Sequence, residues 1–526
     1  MTYDYVIVGA GSAGCVLANR LSANPAHRVL VLEAGGRDWH PFIHMPAGLA
    51  KLVNNKHINW DFHTEPEAAL AHRRLWWPRG KVLGGSSSIN AMCYTRGAPG
   101  DYDEWAALTG DPRWSWNAVL PVFKRAEDNA RGADAWHGTG GPLAVADLRY
   151  HNELSDVVVE AAAAAGFARN TDFNGATQEG FGLYQVTQKN GARCSAATAY
   201  LAPVRGRENL SVVTNALTHR VLIDGTRAVG VEYRHRNQDI RAEAGCVILA
   251  GGAINSPQLL MLSGIGAADH LREHDIAVTC DLAGVGGNLQ DHLDICTLVR
   301  STKPVTYDRT NDIAVALEFL TRRSGIGTSN IAEAGGFVRS RHATDERCDL
   351  QFHFVPALLD QHGRHRLDGH GYTLHACALR PKSRGKIRLK SADPAAHPAI
   401  RPNYLGDAEG YDLRMLIEGA RISREIFAEA PFAPYRGEEI FPGPAAHNDA
   451  DIETFVRRKA ETIYHPVGTC RMGNDDAAVV DREMRVRGID NLRVVDASVM
   501  PTLIGGNTNA PTMMIAERAA DLLNST

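Results

Sequence analysis

Six residues near the start of the chain, Gly9-Ala10-Gly11-Ser12-Ala13-Gly14, stand between an apolar run at 5–8 and a helix-like segment at 15–21. That spacing suits a pyrophosphate. The first glycine permits the tight turn, the second lets the backbone approach the phosphates, and the third lets helix and strand pack closely. The helix N-terminus behind them offers free N–H groups and the positive end of a dipole. A second apolar run at 28–32 ends on Glu33, 19 residues beyond Gly14, where a carboxylate can accept hydrogen bonds from both hydroxyls of a ribose. The glycine pattern alone is an ordinary turn. With strand, helix, second strand and terminal acid in order it reads as a dinucleotide site, which does not separate FAD from NAD.

Two further segments are rich in glycine. In Trp77-Pro78-Arg79-Gly80-Lys81-Val82-Leu83-Gly84-Gly85-Ser86-Ser87-Ser88-Ile89-Asn90-Ala91-Met92 a Gly/Ser run is enclosed by aromatic and apolar residues. A buried loop of this kind needs partners for its backbone, and a bound polar cofactor supplies them. Residues 246–266 again read strand, glycine turn, helix, with Ser256 before Pro257 as the expected cap and first helical position. The His-rich piece at 361–370 has no helical two-His spacing with a partner ligand, so it reads as a solvated or lid-like loop and no metal is expected.

These segments need a large scaffold, and the composition allows one. The chain has 526 residues, 44% hydrophobic and 22% charged, enough for two to four structural units. Its net charge of -4, from 56 basic and 60 acidic residues, excludes a strongly basic nucleic-acid binder. The nine cysteines never occur as Cys-x-x-Cys, which argues against a disulfide framework and a zinc ribbon and for a reducing compartment. The first residues lack a secretory signal and no apolar run reaches the roughly 18 residues of a spanning helix. A cytoplasmic protein is expected, with peripheral contact on the inner face of the membrane left open. Asp224-Gly225 between two apolar runs predicts a hairpin inserted in a parallel-sheet unit. Alternating segments at 350–355 and 386–389, then a helical stretch at 413–428, predict a second, largely antiparallel unit.

The chain resembles the glucose–methanol–choline (GMC) oxidoreductases. Residues 80–103 are similar to the family's first signature and 252–266 to its second. The C-terminal stretches Tyr464-His465-Pro466-Val467-Gly468-Thr469-Cys470, Val494-Val495-Asp496-Ala497-Ser498 and Gly505-Gly506-Asn507-Thr508-Asn509-Ala510-Pro511-Thr512 extend the likeness over essentially the full length. Within the family it is most similar to bacterial alcohol dehydrogenases that pass electrons to a quinone or other acceptor. Choline dehydrogenases typically read His-Pro-Ser-Cys-Ser-Cys where this chain has His465-Pro466-Val467-Gly468-Thr469-Cys470.

The resemblance implies an α/β plus α+β architecture: a Rossmann-like FAD-binding domain from residues 1–155, 190–300 and 456–526, with an inserted antiparallel-sheet substrate-binding domain from 156–189 and 301–455. It also implies oxidation of a primary alcohol, with hydride transfer to flavin N5. Such a reaction needs a base near neutrality, which suits histidine, and the resemblance assigns that role to His465, with Asn509 steadying the alkoxide. Pro511 suits the first turn of a final helix at 512–523 whose N-terminus faces the ring. By the same resemblance Gly9, Gly11, Ser12, Ala13, Gly14, Glu33 and Ala34 hold the ADP half, and Val221 contacts the adenine through its backbone. Leu83, Gly84, Ser88, Asn90, Ala91 and Met92 line the isoalloxazine and ribityl region, and Asp496, Ala497, Asn507 and Thr508 close the far side. Ile89 stands where some relatives carry a flavin-linked histidine, so FAD is expected to bind non-covalently. An oxidase returning electrons to O2, a choline dehydrogenase, a redox-silent lyase and an NAD enzyme are the alternatives, and the number of subunits is left open.

Overall fold

The computed structural model describes residues 2–52 and 54–524 and contains two seven-stranded sheets. The first grows from strand Thr2–Val8, whose Val6 and Ile7 are fully buried, as a parallel strand covered on both faces requires. Val29–Glu33 pairs with it in parallel on one side, followed by Leu210–Thr214. Gln238–Leu249 lies on the other side and is long enough to serve two partners along its outer edge. Its first half runs antiparallel to Arg227–His235, while Val247, Ile248 and Leu249 pair in parallel with Leu492–Val494. Arg227–His235 turns back on Ala216–Asp224 through Gly225, whose φ of +58° is the left-handed conformation the Asp-Gly turn calls for. This is the expected parallel sheet with its antiparallel meander.

The helix after Gln238–Leu249 differs from expectation at its start. It spans Gly252–Leu262, so Ser256 and Pro257 lie inside it. The Ser256 hydroxyl is drawn away from capping: it accepts from Gly251 N at 3.0 Å and donates to Asp496 Oδ2 at 2.6 Å. Pro257 has no N–H for the carbonyl of Ala253. That carbonyl instead accepts the Thr469 hydroxyl at 2.6 Å.

The second sheet is antiparallel throughout. Its order is Arg436–Phe441, Leu293–Ser301, Gly371–Ala378, Leu350–Val355, Ala334–Val338 and Gly180–Leu183, with Glu461–Thr462 also paired to Leu293–Ser301. Two of these strands, Leu293–Ser301 and Glu461–Thr462, begin in stretches that the sequence boundaries place in the first unit. Both faces of Leu350–Val355 are covered. Phe352 and Phe354 point away from a cavity, and Phe354 meets Phe427 of helix Tyr411–Ala428 at 6.5 Å between rings. His353 and Val355, one residue out of phase, line the cavity. Helix and sheet approach closely at Gly419, where a Cβ would stand 2.7 Å from the Cβ of Ala376.

No helix among the described residues is long and apolar enough to cross a membrane. The close approach at Gly419 is open to a direct test. Gly419→Val is expected to cost about 1–3 kcal/mol through overpacking, read as a lower denaturant midpoint. Gly206→Ala, where no atom stands within 4 Å of the added carbon, is expected to be neutral.

Candidate active site

The site is assembled where residues 290–294 and 461–467 run past each other. Gln290 bridges to Val467, Leu293 pairs with Thr462 and Asp294 with Glu461. Between these pairs Ile463 N donates to the carbonyl of His292 at 3.1 Å. The register therefore sets Asp291 and His292 beside His465. The Asp291 carboxylate accepts His465 N at 2.7 Å, the Thr462 hydroxyl at 2.5 Å and the Tyr404 hydroxyl. Burial pushes that carboxyl up to about 6 although these donors oppose the shift. Tyr464 adopts a φ of +72°, uncommon for a bulky residue, with its carbonyl held by Arg79 at 2.7 Å.

His465 is 8% exposed. Its Nδ1 lies 3.0 Å from His292 Nδ1 and its Nε2 lies 3.3 Å from Asn507 Nδ2. Burial holds its pKa well below the ordinary histidine value, with the His292 and His353 imidazoles and the Arg79 guanidinium acting in the same direction. The amide of Asn507 has a defined orientation. Asn507 N donates to the Thr95 hydroxyl at 2.8 Å, so that hydroxyl is free to donate to Asn507 Oδ1 at 3.2 Å, and Gln351 Nε2 donates to the same oxygen at 3.0 Å. The Nδ2 hydrogens are thereby directed at His465.

The structure sets Asn507, not the expected Asn509, against the His465 ring. Asn509 lies at the start of helix Asn509–Asn524, and its Oδ1 accepts the Ser12 hydroxyl at 2.7 Å. It joins the last helix to the glycine loop, while the residue facing His465 is Asn507, two positions earlier. The helix starts at Asn509 instead of 512, which puts Pro511 within its first turn as expected.

A cavity of about 460 Å³ runs from the glycine loop to His465. Gly9, Gly11, Ser12, Ala13, Glu33 and Ala34 line one end. A Cβ on Gly11 would meet nothing nearer than 3.9 Å and would project into open space, the cradle a pyrophosphate needs. Gly14 stands behind the wall, where a Cβ would fall 1.9 Å from the carbonyl of Gly9, so its part is close packing. Glu33 is tied to the loop it serves, accepting Ala10 N at 2.9 Å and Gly35 N at 2.8 Å. Burial raises its carboxyl to about 7 against those two donors.

Asn90, Ala91, Met92, Asp496, Ala497, Asn507 and Thr508 line the middle and far wall, whereas four expected contacts stand outside it. Leu83 N donates to Gly36 O at 3.0 Å and Gly84 N to Ala10 O at 2.8 Å. The Ser88 hydroxyl donates to Leu83 O at 2.7 Å, and Val221 N is taken by the Ser263 hydroxyl at 2.8 Å. These residues hold the loops from behind. Gly85, Ser86 and Ile89 face the cavity in the first case, and Ala216, Leu217 and Thr218 in the second. Asp496 does both jobs: it lines the cavity and accepts Gly252 N at 2.8 Å and Ser498 N at 2.8 Å.

The sequence reading also missed His292, His353 and Arg79 as parts of this site. His362, expected in a solvated loop, lines the cavity, with Nε2 3.4 Å from Asp294 Oδ2. His375 donates to or shares a proton with the same oxygen at 2.7 Å. Arg79 lines the cavity beside His465, and burial lowers its pKa to about 10. Its guanidinium gives the far end a positive charge.

Models of the GMC oxidoreductase family match residues 3–294 and 381–516. The chain is 53% identical to an alcohol dehydrogenase (acceptor) of Pseudomonas putida, over 99% of this chain and 95% of that protein. It is 46% identical to the mitochondrial choline dehydrogenase of Mus musculus, over 99% and 89% of the two chains. Among solved structures it is similar to pyridoxine 4-oxidase from Mesorbium loti, with a TM-score of 0.91, 34% identity and coverage of 100% and 99%. A cradle for a dinucleotide at one end, a histidine–asparagine pair at the other, and these likenesses along the whole length converge. The chain belongs to the GMC oxidoreductase family, and its cofactor is FAD.

Proposed function

We propose that the protein oxidises primary alcohols to aldehydes with non-covalently bound FAD, and that the electrons leave to a quinone or another acceptor. The observation that carries this reading is the approach of Asn507 Nδ2 to His465 Nε2 at 3.3 Å on the wall of the cavity that begins in the dinucleotide cradle. FAD held in that cradle supplies the acceptor for the substrate's hydride. A hydroxyl seated beside this pair, within reach of both nitrogens, donates its hydrogen to Nε2 of His465 and accepts from Nδ2 of Asn507. The depressed pKa of His465 keeps its imidazole unprotonated at neutral pH, ready to accept that proton. Negative charge building on the substrate oxygen is met by the Asn507 amide and by the field of Arg79. Ile89, on the cavity wall, has no nucleophile with which to form a covalent link.

An uncharged alcohol suits the substrate end. Trp76, Ile331, Ala332, Val355, Leu358 and Ile463 line it. Asp308 also lines this end, and its carboxylate is engaged by Leu358 N at 2.9 Å, Gly371 N at 3.1 Å and the Thr306 hydroxyl at 2.7 Å. The Arg364 guanidinium lies 4.6 Å from the Trp76 ring centroid. A second cation such as choline would meet both that charge and Arg79. The relative named as an alcohol dehydrogenase (acceptor) supports electron transfer to an acceptor compound. Nine unpaired cysteines support a reducing compartment such as the cytoplasm, with contact at the inner membrane face as the route to a quinone.

His465→Ala is expected to keep the flavin spectrum and lower kcat/KM by about 10²- to 10⁴-fold; near-normal turnover would remove His465 from the role of base. In the wild type kcat/KM should rise as His465 loses its proton. Because the pKa of the free enzyme's base is depressed, the acidic limb is expected below pH 6.5. A panel of aliphatic, benzylic and furanic primary alcohols with choline should show higher kcat/KM for the uncharged compounds. Reduction of a quinone or dye should outpace peroxide release. Preference for choline, or fast peroxide formation, would favour the choline dehydrogenase or the oxidase reading respectively.

A further inference from the structure

We infer that His292 is a positioning residue for this reaction: bonded to His465 on one side and to the Leu379 carbonyl on the other, it selects the tautomer of His465 whose Nε2 lone pair faces the substrate. The inference deepens the reading of His465 as base and rests on it.

Three hydrogen bonds fix the tautomer. His292 is fully buried, and its Nε2 lies 3.2 Å from the carbonyl oxygen of Leu379. A carbonyl oxygen can only accept, so Nε2 of His292 carries the hydrogen. Burial keeps this imidazole neutral, with its pKa lowered to about 3, so Nδ1 is a bare acceptor. That nitrogen lies 3.0 Å from Nδ1 of His465, which must then donate. A neutral imidazole has one N–H, and with it on Nδ1 the Nε2 of His465 is left as a lone pair. The other end of the chain agrees independently. Asn507 Nδ2 is a donor 3.3 Å from Nε2, oriented by Thr95 and Gln351, and it calls for an acceptor there.

The opposite tautomer fails at every link. A hydrogen on Nε2 of His465 would face the Asn507 amide hydrogens, and His292 would have to donate from Nδ1 while its own Nε2 lone pair faced the Leu379 oxygen. Buried acceptor–acceptor and donor–donor contacts are penalised in full. During turnover the alcohol O–H bond breaks, its proton goes to Nε2 of His465, and the Nδ1–H bond to His292 persists as the ring becomes cationic. His292 thus accepts from the ring in both states and does not itself change protonation. The other groups facing His465 are the His353 imidazole, the Arg79 guanidinium and, at its backbone N–H, the Asp291 carboxylate. Among the described residues, His292 is the one hydrogen-bonded to Nδ1.

Neutron crystallography of the FAD-loaded wild type reads the hydrogen directly and does not depend on turnover. Hydrogen on Nδ1 and none on Nε2 of His465 is the expected result, and hydrogen on Nε2 would overturn the inference. Kinetics supply the second arm. His292→Leu cannot accept and is expected to keep FAD while losing on the order of 10²- to 10³-fold in kcat/KM. Its acidic limb should move to lower pH, because the imidazolium of His465 loses its acceptor. His292→Gln can accept from His465 and donate to Leu379, and should recover activity to within about tenfold of wild type with the limb returned. Equal losses in both variants with an unmoved limb, or wild-type kcat/KM in His292→Leu, would overturn the inference. If no alcohol is oxidised by the wild type, the reading of the reaction fails while the neutron result still decides the tautomer.

Discussion

The antiparallel passage of residues 290–294 against 461–467 is the contact on which the chemistry rests. Two segments distant in the chain are joined by the Leu293–Thr462 pair, 169 positions apart, and the Gln290–Val467 bridge, 177 apart. Side chains alternate faces along extended backbone, so a slip of one residue would turn Asp291 and His292 away from each other's present targets. In the observed register Asp291 clamps the backbone of His465 while His292 meets its ring. Main chain and side chain of one residue are thus fixed by two neighbours in sequence.

The cofactor cradle and the catalytic strand are coupled by a defect in a helix. Pro257 leaves the carbonyl of Ala253 without its helical donor, and Thr469, four residues after His465, supplies one. Asp496 adds a second link, holding the N-terminal turn of the same helix through Gly252 N. A polar residue placed in a core without such partners would be costly. Here the Ala253 carbonyl and the Asp496 carboxylate each take a donor from a distant part of the chain, which ties the cavity walls together.

Local patterns disclosed much of this in advance. Gly9, Gly11 and Glu33 stand where strand, turn and helix order places them, and the Asp224-Gly225 hairpin and the antiparallel second sheet follow from residue type and alternation. What escaped was set by distance along the chain. Asn507 and Asn509 are the same residue type two positions apart, and which one meets His465 depends on a helix that begins between them. His292 lies in a segment without periodicity, and its neighbour is chosen by pairing across 173 residues. Val221 has the right strand, yet its N–H is claimed by Ser263 from the following helix end, so the cavity falls to Ala216, Leu217 and Thr218.

The hydrogen bond from Ser12 to Asn509 closes a loop of 497 residues at the pyrophosphate end of the cavity. During synthesis the glycine loop emerges from the ribosome long before the helix that completes its other side. A nascent chain therefore offers a dinucleotide only half a binding surface, however well its first strands have folded. The cradle is whole only when the two ends of the chain have met.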